Sequence, residues 1–415
     1  MLELDCGQEF DASREADFFA ALPERPGVLL LEMADAAAEP YLARTADIRR
    51  AAERLLGGPA VASKRLNLRA VAARVRYRMT GSKFEQTMTL YQQARQRLPS
   101  RYRDLLRLRP PAVLKVNLRS EYPRCYVTRR IRGDDGFYIG PFASRRTAEA
   151  FAEGFLDLFK IRRCQIKIRR DPDFPGCIYS EMKMCLAPCF AGCTKQEYDV
   201  EVGRVVATLH TAGAALTQEI EQEREAASEA LDFERAAALH KRLEKVSAAM
   251  RVLPELARRI EKLDAVILQR GSEEKTILVF PVRGGLIAEP IFLRFLELSS
   301  QPRSVESILR KELESKDGAG KNPEPRESSE QQPLADVGST QELSGAQRYG
   351  LRAAALDLPE NLTLLARWFY SKPRDGEILF RNGDWPYRRI LRACGRLLAP
   401  PEAAKGDAHP STTTC

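Results

Sequence analysis

A chain of 415 residues is long enough for roughly two to four domains, each able to bury a core. Its N-terminus, MLELDCGQEFDASREADFF, has no basic region or apolar run, and no later stretch reaches the length of a membrane span, so the sequence reads as a cytoplasmic protein with no membrane partner. Lys+Arg 66 against Asp+Glu 57 gives a net charge of +9, unevenly spread: Arg101 to Arg170 holds 18 basic and 7 acidic residues, whereas Glu312 to Gly345 holds 3 and 8. So concentrated a basic module points to a polyanionic partner, most simply nucleic acid, with an ordinary solvated surface as the competing reading.

Residues 22–56 begin with a turn at Pro26-Gly27, then an apolar strand at Val28 to Glu32, a loop of small residues and a short strand at Tyr41. Asp47 is placed to cap the next helix, with Arg49, Arg50 and Arg54 on its polar side. A second helix is expected from about Lys83 to Leu98, ended by Pro99. Strands follow at Ala112 to Leu118 and Arg124 to Arg130, the latter turning through Asp134-Asp135-Gly136 into Phe137 to Phe142 as a hairpin. Ser144 caps a helix from Arg145 to Phe159 with Phe151, Phe155, Leu158 and Phe159 on one apolar face.

That helix leads into the stretch RRCQIKIRRDPDFPGCIYSEMKMCLAPCFAGC. Cys164, Cys177, Cys185 and Cys189 are spaced C-x12-C-x7-C-x3-C among arginines and lysines, and Cys193 follows. Four thiolates are what a metal ion or an iron–sulfur cluster requires, and in the cytosol clustered cysteines are more often ligands than disulfides. The competing reading is burial as small hydrophobes. Against it, Asp-Pro, Pro-Gly and Ala-Pro break the segment and make it a poor core element.

Lys195 to about Val252 reads as helical with one break near Glu229 to Asp232, where Asp232 can cap the second helix of an antiparallel hairpin. Phe233, Ala236, Ala237 and Leu243 lie on one side of that helix, a face for a partner or for an intramolecular coiled coil. Strands are expected at Ala265 to Leu268, Thr276 to Val282 and, after Gly284-Gly285, Leu286 to Phe295. Residues 312–348 are rich in Pro, Gly, Ser, Glu and Gln and read as a disordered linker. A helix at Asn361 to Tyr370, a strand at Glu377 to Phe380 and a helix at Tyr387 to Leu398 close the folded part, and 400–415 reads as a disordered tail.

In this order the Pro-Gly-Val unit, the run FYIGPF, the cysteines ending in CLAPC, the helical ALDFERAAALHKRLEKV and the strand pair ending VFPVRGG resemble the N-terminal two thirds of the UvrC family, the excinuclease subunit of bacterial nucleotide excision repair. The resemblance spans roughly residues 22–398 apart from the linker, and is most specific at CIYSEMKMCLAPC and LDFERAA. It implies an α+β multidomain chain: a degenerate GIY-YIG-like α/β domain at 1–105, a basic Cys-rich domain at 106–194, a helical UVR hairpin at 195–260, and a mixed α/β C-terminal segment at 261–311 plus 349–399.

The resemblance further implies that Cys164, Cys177, Cys185 and Cys189 hold a 4Fe-4S cluster, with zinc as the alternative. Arg162, Arg163, Lys167, Arg169 and Arg170 would then meet DNA phosphates, while Phe233, Glu234, Arg235, Ala236 and Ala237 would meet a UvrB-type partner. At the nuclease positions the pattern departs. The first catalytic tyrosine falls on Leu29, the second survives as Tyr41, the lysine becomes Arg44, the arginine Ala51, and the metal-binding glutamate lands on or near Leu90. Tyr41 and Arg44 are therefore vestigial, and Mg²⁺, usually held through carboxylates, has no anchor. Glu85, five positions before Leu90, is off the expected helix face. Family members also carry an RNase-H-like nuclease and a helix-hairpin-helix pair, for which no room follows Leu398. The expectation is a repair protein that binds DNA and its partner without incising. The alternatives are an endonuclease rebuilt around Tyr41, Arg44 and Arg49, and a metal-centred nucleic-acid scaffold outside repair.

Overall fold

The computed structural model describes residues 2–58, 66–132, 136–298, 304–315 and 345–399, with backbone alone for 315 and 345–356. The N-terminal part runs β1 (Cys6–Glu9), α1 (Glu15–Ala21), β2 (Gly27–Met33), β3 (Tyr41–Thr45), α2 (Ile48–Leu56), β4 (Ala72–Met79), α3 (Lys83–Arg97) and α4 (Tyr102–Leu105). Its strands form an antiparallel sheet in the order β1-β4-β2-β3. β2 is central, and Val28 to Leu31 are buried on both of its faces. Asp47 caps α2 as expected, its Oδ1 accepting from the Arg50 N–H at 2.9 Å.

One face of this sheet packs on Phe18, Leu22, Ile48 and Leu55 of α1 and α2 and of the α1–β2 turn. The other packs on α3, whose Phe84 ring lies 5.1 Å from Phe280 and 5.2 Å from Trp368. The first sheet is thus joined to the C-terminal segment through a shared aromatic core. At the same junction Gly81 approaches Gly271 so closely that a Cβ would fall 2.1 Å from its backbone, a contact only glycine allows.

The middle part comprises β5 (Ala112–Val116), β6 (Cys125–Thr128), β7 (Phe137–Phe142), α5 (Arg145–Leu156), α6 (Ile178–Glu181), α7 (Lys195–His210), α8 (Ala214–Glu229), α9 (Phe233–Arg251) and β8 (Arg258–Arg259). The strand order is β6-β5-β7-β8, so the expected hairpin between β6 and β7 is corrected: β5 lies between them and pairs antiparallel with both. Every residue of β5 is buried, which demands a neighbour on each edge. Asp134 and Asp135 of the expected turn lie outside the described residues.

The helical stretch has two breaks where one was expected. Ala212 and Gly213 adopt left-handed backbone at φ 50 and 96, and a Cβ on Gly213 would meet Met250 Cγ at 2.7 Å. α8 and α9 form the antiparallel hairpin, and Leu216, Ile220, Leu239 and Val246 share one core with Phe155 and Tyr198.

The last part comprises β9 (Ala265–Arg270), β10 (Thr276–Arg283), β11 (Leu286–Ile287), β12 (Ile291–Arg294), α10 (Phe295–Leu298), α11 (Val305–Ser315), α12 (Gly345–Phe369), β13 (Glu377–Phe380) and α13 (Tyr387–Leu398). Its sheet runs β11-β10-β9-β13, with β12 also on β10. The single strand expected from Leu286 to Phe295 is split, since Pro290 interrupts the ladder between β11 and β12. The linker expectation is corrected at both ends. Residues 312–315 close α11, whose Leu309 and Leu313 are fully buried, and 345–348 are helical backbone. Residues 316–344 and 400–415 lie outside the described residues. Among the described residues no helix is long and apolar enough to cross a membrane.

Candidate metal centre and docking surfaces

The cysteine loop is strung between α5 and α7 and anchored by α7. Tyr198 Oη accepts from the Arg162 N–H at 3.0 Å and donates to the Pro123 carbonyl at 2.7 Å, while Glu201 accepts from the Lys160 N–H at 2.7 Å. Within the loop Leu186 N–H donates to Lys160 O and Asp171 N–H to Cys189 O, both at 2.9 Å. Ala187 and Ala191, left-handed at φ 55 and 61, turn the chain on each side of Cys189.

This folding places the predicted thiols within electrostatic reach of Cys185. Burial pushes the Cys185 thiol up to about 11, and Cys164, Cys177 and Cys189 all add to the rise. Cys189 is likewise raised, first by burial and then by Cys177 and Cys164. Cys193, raised by burial, then by Glu197, senses Cys189 alone of the four. Among the described residues no group of three or more His, Cys, Asp or Glu side chains stands in metal-holding geometry. The four thiols are therefore electrostatic neighbours short of coordination. As a donor set four thiols have the chemistry of a thiolate-held centre. Ala187 N–H also donates to Cys185 Sγ at 3.3 Å.

Around the thiols the five basic residues divide. Arg162 does not face solvent: it is 7 % exposed and donates to Tyr122 O at 2.8 Å and Ile166 O at 2.7 Å, so its place among the phosphate-facing residues is corrected to a structural one. Arg163 is paired with Asp157 at 2.8 Å. Lys167, Arg169 and Arg170 are exposed, the last also donating to Cys193 O at 3.2 Å.

On the hairpin, Asp232 Oδ1 accepts from the Arg235 N–H at 3.0 Å and caps α9. Phe233 is 67 % exposed; Glu234, Arg235 and Ala237 are also exposed, and Ala236 is half-buried against α8 and the middle core. Leu231, which the sequence reading passed over, is 71 % exposed beside Phe233 with φ 61. A hydrophobe directly before a capping aspartate was the signal for it.

At the nuclease-like face, Tyr41 is half-buried on β3 opposite Leu31, Arg44 is exposed, and Leu29, Ala51 and Leu90 are all buried. Arg49 is committed elsewhere, donating to Leu22 O at 2.8 Å and Ala20 O at 2.9 Å and pairing with Glu24. Glu85 is fully buried, accepting from the Gly81 N–H at 2.8 Å with Arg78 Nε 3.5 Å away. Burial holds its pKa above the ordinary carboxylate value, outweighing the Gly81 hydrogen bond and the Arg78 charge. The folded chain therefore keeps this proton at pH values where the unfolded chain has lost it, and stability declines as pH rises from the ordinary carboxylate range through the raised folded value. Glu85→Gln should flatten that decline in urea melts taken from mildly acidic to neutral pH.

Residues 112–208, from β5 through the cysteine loop into α7, match the family described as UvrC/Cho excinuclease, middle domain. The chain is 29% identical over 198 residues to the UvrABC system protein C of Desulfatibacillum aliphaticivorans, covering 48% of this chain and 33% of that protein. It is 30% identical over 175 residues to that of Ruminiclostridium cellulolyticum (42% and 28%), and 26% identical over 268 residues to that of Moorella thermoacetica (65% and 43%). The matched stretches span less than half the length of these relatives. No solved structure matches the chain.

Proposed function

We propose, from the premise that this chain is similar to UvrC-family proteins over part of its length, that it is a nucleotide excision repair protein that binds DNA and a UvrB-type partner without incising. The observation that carries this is the family match over 112–208, a stretch that takes in the basic loop bearing Cys164, Cys177, Cys185 and Cys189. Cys164, Cys177, Cys185 and Cys189 would hold a 4Fe-4S cluster, zinc being the alternative, and such a centre supplies rigid cross-linking of a loop that has little core of its own. The α8–α9 hairpin would act as a UVR motif, offering Phe233 to the partner.

Silence as a nuclease is supported by the burial of Leu29, Ala51 and Leu90 at the positions of the family's catalytic groups. A site rebuilt around Tyr41, Arg44 and Arg49 is disfavoured, because the Arg49 guanidinium already serves the end of α1. With Mg²⁺ or Mn²⁺ on nicked, bubble and lesion-bearing duplexes, the purified chain should bind without cleaving. Its log affinity should fall with log salt by about 0.9 per phosphate contacted, with little sequence preference. Cleavage that disappears in Tyr41→Phe would overturn the proposal.

A further inference from the structure

Away from the cysteine loop, a cleft of about 740 Å³ opens between the α4–β5 connection, the N-terminal end of α5 and α12. Arg103, Arg107, Arg109, Arg129 and Arg367 line it, with Asp104 the one acid in its wall among the described residues. We propose that this cleft is the principal DNA-backbone site of the chain, gripping phosphates from three separate parts of the fold. The proposal rests on the DNA-binding reading above and gives it a location.

The arginines differ in how they are held. Arg367 Nη1 donates to Leu106 O at 2.7 Å, and its other amino group to Arg107 O, so α12 fixes the connection that carries the others. Arg103 Nε donates to Glu360 at 2.7 Å, a buried carboxylate that also accepts from Tyr91 and Tyr102. That acid is therefore spent below the cleft floor. Arg107, Arg109 and Arg129 are exposed and their side chains have no partner among the described residues. Arg44, from β3 of the N-terminal sheet, lies within electrostatic reach: burial, then Arg44, then Arg107 lower the pKa of Arg367. Like charges gathered with so little acid repel one another, and an anion relieves that repulsion.

The geometry also selects the class of anion. Ala143 and Ser144 line the cleft at the start of the twelve-residue helix α5, adding the positive end of its dipole. Phe142 is buried, and the half-buried Tyr370 spends its Oη on Pro141 O at 2.9 Å, so neither offers a free polar group to a base edge. The cleft is equipped to hold a backbone without reading sequence. By contrast, the cysteine loop loses Arg162 to burial and Arg163 to Asp157.

The test is fluorescence anisotropy of a labelled duplex with the full chain, the triple variant Arg107→Ser/Arg109→Ser/Arg129→Ser and the double variant Lys167→Ser/Arg169→Ser, across a salt series. The triple variant should bind at least ~10-fold more weakly and lose about 2–3 units of salt slope, with the smaller change in the double variant. A triple variant with the affinity and slope of the wild type, or a larger loss in the double variant, would overturn the cleft while leaving DNA binding intact. Wild-type chain that binds inorganic triphosphate through these arginines but no duplex would instead sink the DNA reading itself.

Discussion

Cys185→Ala should bleach anaerobically purified protein, removing its broad visible absorption and most of its iron. Cys185 is the thiol on which the other three act, and its Sγ receives the Ala187 backbone N–H at 3.3 Å. Removing one of four thiolates leaves an open, labile centre. The structural effect should be local. Residues 162–193 contain only the short α6 and a 3-10 turn, and their buried side chains are few: Cys193, with Ile168 and Leu186 packed alongside, is the loop's share of a core otherwise built on Phe151, Phe155, Tyr198 and Leu216. Limited proteolysis should cut within 164–193 while the helical circular dichroism signal is retained. Cys193→Ala, altering a thiol that senses Cys189 alone of the four, should keep full iron content. Iron retained in Cys185→Ala would remove that residue from the ligand set, and colourless protein that loses zinc on the same change would move the assignment to the alternative metal.

The parts of this protein legible in its sequence are those set by neighbours along the chain. The caps at Asp47, Ser144 and Asp232 are all made as expected, because a capping side chain reaches backbone only three residues on. The four cysteines are grouped by spacing, and in the fold Cys164, Cys177 and Cys189 lie within electrostatic reach of Cys185 without forming a metal-holding group among the described residues. What failed was pairing across distance. β4 went unseen because arginines at 74, 76 and 78 mask the inward Val75 and Tyr77, and its place beside β2 depends on a partner far upstream in the sequence, as in Tyr77 opposite Leu29. The β6–β7 hairpin was a plausible local turn overruled by the two-sided burial of β5. Arg162 was read with its charged neighbours, yet carbonyls at Tyr122 and Ile166 claim it. The basic cleft was half legible: the surplus between Arg101 and Arg170 marked its connection, but Arg367 arrives on a helix from the far end of the chain.

Phe233→Ala should weaken binding to a UvrB-type partner by at least ~10-fold while leaving the melting temperature nearly unchanged. The two halves of this expectation share one cause. At 67 % exposure the ring contributes little to the free chain, so truncating it should cost under ~0.5 kcal/mol of stability. Buried in a complex, a phenylalanine contributes roughly 1.5–3 kcal/mol, which corresponds to the expected loss. Leu231 separates binding from folding still more sharply. At φ 61 its side chain disfavours its own backbone, and at 71 % exposure it gains almost no burial in return. Leu231→Gly should therefore hold or raise stability while weakening the complex, opposite signs that general damage to the hairpin cannot produce. Calorimetric titration of a UvrB-type partner into each variant reads both effects against thermal melts. Unchanged affinity in both variants would leave the exposed tip without a docking role and return α8–α9 to a purely intramolecular pair.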